Sequence, residues 1–83
     1  MKKIAILASG SGSNAENIAN YFKEHKYIKV ALILSNNPEA YVLKRAEKLG
    51  IPSFIFNRDA LYRDNKVKDV LLNEGIDFIV LAG

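Results

Sequence analysis

Between a purely apolar run and an amphipathic one lies the segment Ser9-Gly10-Ser11-Gly12-Ser13-Asn14, and this order leaves few folds open. The residues before it, Ile4-Ala5-Ile6-Leu7-Ala8, form a continuous apolar stretch of strand length. Such a stretch is the pattern of a strand covered on both faces. After it, Ala15, Ile18, Ala19 and Phe22 recur at helical spacing and make one apolar stripe. Ser13 or Asn14 is expected to cap this helix, since either side chain accepts from the free N–H groups at a helix start.

The remainder repeats the alternation. Ile28 to Leu34 reads as a second strand with Val30-Ala31-Leu32-Ile33-Leu34 as its buried part, stopped by Asn36-Asn37-Pro38. Asn37 is the expected cap of a second helix and Pro38 its first residue, where a missing N–H does no harm. That helix turns Val42, Leu43, Ala46 and Leu49 inward and ends at Gly50 in a left-handed conformation. Pro52 to Phe56 reads as a short third strand. The polar stretch 57–65 is a loop leading to a third helix that buries Val67, Val70 and Leu71 and stops at Gly75. Asp59 or Asp64 is its expected cap. Asp77 to Gly83 is a fourth apolar strand, expected to be buried.

The order βαβαβαβ predicts a doubly wound, Rossmann-like α/β fold with a parallel sheet and right-handed crossovers. An apolar strand at the very end of 83 residues is unusual, because an uncovered apolar edge invites aggregation. The natural protein is therefore expected to continue past Gly83, making residues 1–83 the amino-terminal phosphate-binding part of a larger domain. A mini-domain paired through this edge is the alternative.

Composition excludes several classes. Apolar residues make up 49% and charged residues 25%, which fits a globular chain. With no cysteine there are no disulfides, thiolate metal sites or thiol nucleophiles, in keeping with a reducing cytoplasm. The run after Lys2 and Lys3 is shorter than the 7–15 apolar residues of roughly every secretory core, and no stretch nears the roughly 18 of a membrane helix. The net charge of +3 is mild. Tyr21, Phe22 and Tyr27 lie among Lys23, Lys26 and Lys29, but one short cluster does not make a nucleic-acid surface. Neither a membrane nor a nucleic acid is expected as a partner.

The glycine-rich turn carries the chemistry. In doubly wound sheets, ligands bind beyond the carboxyl ends of the strands, where this first turn lies. Glycines allow a tight bend and close backbone approach, and the free N–H groups of the following helix suit a phosphate. Replacing Gly12 with Val is expected to block that approach and weaken phosphate binding. Gly10-Ser11-Gly12-Ser13-Asn14-Ala15 fits the dinucleotide pattern G-x-G-x-x-A. An NAD site also needs an acidic residue about 20 residues on, whereas this chain has Ser35-Asn36-Asn37 there. NADP stays open, with Lys44 or Arg45 near a 2′-phosphate, as in a half-domain of an oxidoreductase. Neither an ATP P-loop nor a hydrolase nucleophile elbow is present. The other reading is a monophosphate held by the turn.

The run Ile6 to Asn14 resembles the opening of the phosphoribosylglycinamide formyltransferase family. Leu34-Ser35-Asn36, Lys44-Arg45-Ala46, Gly50-Ile51-Pro52 and Val80-Leu81-Ala82-Gly83 fall in register with the same family, so the resemblance covers the whole chain. It implies transfer of a formyl group from 10-formyltetrahydrofolate, the cosubstrate, to the amine of phosphoribosylglycinamide in purine synthesis. It also implies that Gly12, Ser13 and Asn14 contact the phosphoribosyl group. Arg63, with Arg58 as a rival, matches an arginine that touches the formyl-folate. The family's catalytic Asn, His and Asp lie beyond the Leu-Ala-Gly strand, and none falls within these 83 residues.

His25 is not a substitute for them. In the run Lys23-Glu24-His25-Lys26 it reads as a surface cation near the end of the first helix. No His, Asp or Glu cluster has metal-ligand spacing, so no metal is expected.

Overall fold

A computed structural model describes residues 1–10, 12–56 and 66–82. Four strands, β1 (Lys2–Leu7), β2 (Ile28–Ser35), β3 (Ser53–Ile55) and β4 (Phe78–Leu81), alternate with helices α1 (Ser13–Tyr21), α2 (Tyr41–Leu49) and α3 (Lys66–Asn73). The sheet order is β3-β2-β1-β4 and every pairing is parallel. The chain steps outward from β1 through β2 to β3, then crosses back to lay β4 on the other side of β1. The reversal sets a switch point at the carboxyl ends of β1 and β4, where ligands of such sheets bind.

Both faces of the sheet are covered over β1 and β2, as their apolar runs require. On one face Ile4, Ile6, Val30 and Ile33 pack with Ala15 and Ala19 of α1 and Val42 and Ala46 of α2. On the other, Ala5, Leu32 and Leu34 pack with Phe56 and with Val67 of α3. Val30 and Ile33 share a face despite their odd spacing. Ile4 pairs with Val30 but Ala5 with Leu32, so Ala31 is an extra residue that resets the alternation. Complete burial of Ile6, Ile33 and Val42 makes them the firmest part of the core. Each contributes about 1.5–3 kcal/mol through removal from water.

The two glycine stops form as expected. Gly50 and Gly75 have φ of 72° and 67°. Beyond each, an isoleucine N–H reaches back into the helix, Ile51 to Ala46 O and Ile76 to Leu71 O, both at 2.9 Å.

Three expectations change. The second helix starts at Tyr41, not Pro38, and its cap is the extended Ala40. Asn37 uses its side chain on a turn instead: its Oδ1 accepts from the Glu39 N–H at 3.0 Å, and its carbonyl accepts from the Ala40 N–H at 3.1 Å. The fourth strand forms, but it is an edge strand with Phe78, Ile79 and Leu81 exposed, because among the described residues only β1 flanks it. Its start is pinned to β1, where Asp77 Oδ2 accepts from the Lys3 N–H and the Asp77 N–H donates to Lys3 O, both at 2.8 Å. The first helix ends at Tyr21, before His25. His25 is exposed, and its Nδ1 accepts from the N–H groups of Tyr27 and Ile28, both at 3.1 Å. Through these two bonds the ring closes the turn into β2, beyond the last turn of α1.

Candidate functional site at the carboxyl edge of the sheet

The turn after β1 sits at the switch point. The Ala8 N–H donates to Leu34 O and the Ala82 N–H to Leu7 O, each at 2.9 Å, so β1, β2 and β4 end level with one another. From this edge the backbone passes through Gly12, in the left-handed region at φ 84°, ψ 14°, and enters α1. Gly12 itself is the cap, and no side chain caps the helix. The expected capping by Ser13 or Asn14 does not occur, because both residues already lie inside the helix and cannot fold back onto their own first turn. Both are exposed. The first intrahelical bond runs from the Glu16 N–H to Gly12 O at 2.8 Å. The N–H groups of Ser13, Asn14 and Ala15 therefore have no acceptor within the helix, the arrangement that favours an anion.

Gly12 is needed for a reason the sequence did not disclose. It is buried, and a Cβ placed on it would lie 2.5 Å from Val42 Cγ2 and 2.8 Å from Val42 Cα. The close approach made here is to α2. The same helix holds the turn twice more. The Val42 N–H points to Gly10 O at 3.4 Å, and the Arg45 guanidinium forms an ion pair with the Glu16 carboxylate in the first turn of α1. The guanidinium carbon also lies 5.0 Å from the centre of the Tyr41 ring. Val42 and Glu16 carried no local signal of this role. Glu16 and Arg45 are 29 positions apart, and only the α1–α2 packing joins them.

At the end of β2, Ser35 is fully buried. Its Oγ accepts from the Asn37 N–H at 3.2 Å and donates to Asn37 O at 3.3 Å. No acidic side chain stands where a dinucleotide ribose would need one. Arg63 and Arg58 lie outside the described residues. Among the described residues no three His, Asp or Glu side chains are grouped to hold a metal ion, and no helix is long and apolar enough to cross a membrane.

A cavity of about 410 Å³ opens at the opposite edge, lined by Lys3, Lys29, Lys48 and the ends of α1 and α2. Helix carboxyl termini carry partial negative charge and attract lysines for that reason alone. The carboxyl edge, where α1 begins, is the edge at which sheets of this kind bind their ligands.

The family model described as formyl transferase matches residues 2–83. The chain belongs to the formyl transferase family. Among curated relatives, it is 38% identical over 89 residues to the phosphoribosylglycinamide formyltransferase of Bacillus subtilis, covering 100% of this chain and 45% of that protein. With the enzyme of the same name from Haemophilus influenzae it shares 39% identity over 88 residues, covering 100% of this chain and 42% of that protein. The crystal structure of phosphoribosylglycinamide formyltransferase from Anaplasma phagocytophilum superposes with a TM-score of 0.88 at 32% identity, over 99% of this chain and 39% of that one. The chain thus spans less than half the length of these relatives. The matches give the oxidoreductase half-domain no support.

Proposed function

We propose that this chain is the phosphate-anchoring part of an enzyme that moves a formyl group from 10-formyltetrahydrofolate to the amine of phosphoribosylglycinamide. One observation carries the reading: a chain alignable end to end with phosphoribosylglycinamide formyltransferases holds its Gly12-Ser13-Asn14 turn at the switch point. Gly12 shapes the turn, the N–H groups of Ser13, Asn14 and Ala15 meet the phosphate, and the exposed Ser13 and Asn14 side chains add hydrogen bonds. In the reaction the neutral amine attacks the formyl carbon. The tetrahedral intermediate collapses with cleavage of the bond to the folate nitrogen, and the amine proton passes to that nitrogen. Anchoring the phosphate contributes by orienting the amine. The catalytic Asn, His and Asp that the resemblance implies are not among these 83 residues. Arg63 is our assignment for the formyl-folate contact. A cysteine-free composition and a phosphorylated, water-soluble substrate support a cytoplasmic location.

Calorimetric titration of the full chain tests the anchor. Phosphoribosylglycinamide and ribose 5-phosphate should bind saturably, and the unphosphorylated ribosyl compounds should not. Equal binding with and without the phosphate overturns the reading. Mixed with both substrates, the 83 residues alone should show no formyl transfer. Detectable turnover would place catalytic groups inside this segment.

A further inference from the structure

We propose that Arg45 is a positioning residue for the phosphate cradle, keeping the start of α1 receptive to a dianion by holding the Glu16 carboxylate. The inference rests on the phosphate reading above. Glu16 is the fourth residue of α1, and helical side chains lean toward the amino terminus. Its carboxylate therefore leans toward the end where the N–H groups of Ser13, Asn14 and Ala15 wait for a phosphate. A carboxylate near that end stabilises an empty helix. It also competes for the same positive end, and it repels a phosphate that arrives there.

Arg45 resolves the conflict from α2. Its guanidinium pairs with Glu16 with both side chains partly buried, at 29% and 23% exposure, so solvent screens the pair less than an open surface bridge. Tyr41, one turn earlier on α2, places its ring 5.0 Å from the guanidinium carbon and limits its freedom. Val42 lies between these two and seats against Gly12, so the residues that shape the turn and those that neutralise it belong to one helical turn of α2. A bridge that only tied two helices together would need no particular charge at Glu16. An electrostatic role does, and the two are separable.

The experiment is titration of the full chain with ribose 5-phosphate, following the amide resonances of Ser13, Asn14 and Ala15 and checking folding by circular dichroism. Arg45→Met should weaken binding by about tenfold at low salt, and by less as salt rises. Glu16→Gln alone should bind at least as tightly as the unsubstituted chain. The double variant Arg45→Met/Glu16→Gln should return to within about twofold of it, since the charge conflict is gone although the bridge is too. Unchanged binding in Arg45→Met overturns the inference. So does a double variant as weak as Arg45→Met, which would make the pair a structural tie. Should Arg45→Met fail to fold, Glu16→Gln and Arg45→Lys decide: weaker binding in Glu16→Gln, or loss of binding in a folded Arg45→Lys, overturns it. Absence of any response in the unsubstituted chain removes the phosphate reading itself, and this inference with it.

Discussion

Gly12 and Val42 touch so closely that even a single methyl group on Gly12 would come within 2.8 Å of the Val42 backbone. The phosphate turn is thereby pressed onto the second helix, and two costs fall on any substitution. A left-handed φ of 84° costs an L-residue about 1–2 kcal/mol, and overpacking against Val42 adds about 1–3 kcal/mol. Gly12→Ala should therefore destabilise the chain by about 3 kcal/mol in urea denaturation. Val42→Ala in that background should recover only part of the loss, because the clash includes the Val42 Cα. A Gly12→Ala midpoint equal to that of the unsubstituted chain would sink this account. Gly12→Val is for the same reason a test of packing and not of ligand approach.

Gly50 offers the contrasting case. Its φ of 72° is also left-handed, yet nothing lies within 4 Å of an added Cβ. Only the backbone cost applies. Gly50→Ala should cost about 1 kcal/mol and Gly50→Asn less, since asparagine tolerates this conformation. A Gly50→Ala loss as large as that of Gly12→Ala would mean that packing does not separate the two glycines.

Ser13 and Asn14 should separate stability from binding. Both are exposed and neither caps α1, so Ser13→Ala and Asn14→Ala should shift stability by no more than about 0.5 kcal/mol. Binding of ribose 5-phosphate should weaken by about tenfold where a hydrogen bond to a charged group is lost. Stability losses near 1 kcal/mol would instead return these side chains to a capping role.

The β4 edge presents exposed Ile79 and Leu81, with Leu72 of α3 exposed as well. An apolar edge with unpaired backbone groups favours association. Leu81→Lys and Leu72→Lys should lower the light scattering of the concentrated 83-residue chain without moving its urea midpoint. Scattering that persists in both variants would place the sticky surface elsewhere.

Much of the fold was legible because strand and helix periods are local properties. Ile4 to Ala8 and Val30 to Leu34 read directly as strands, and Gly50 and Gly75 read as helix stops, since a left-handed residue at a helix end favours glycine wherever it occurs. The start of α2 was not legible. Asn37 and Pro38 suit a helix start and a turn equally well, and the choice depended on where Ala40 and Val42 could be buried. The uncovered edge of β4 was foreshadowed by an apolar run at the end of these 83 residues, but which of its side chains stay exposed was not, because apolar content does not reveal how many neighbours a strand has.

Residue types and their spacing alone determined the alternation of strands and helices, the place of the glycine turn at the head of α1, and the resemblance that links the chain to formyl transferases. Tertiary structure alone decided that Gly12 is required by Val42, that Ala31 resets the face of β2, and that Arg45 meets Glu16. The reason is distance along the chain. Contacts between residues about 30 positions apart leave no periodic trace, and they come into being only when α1 and α2 pack side by side on one face of the sheet.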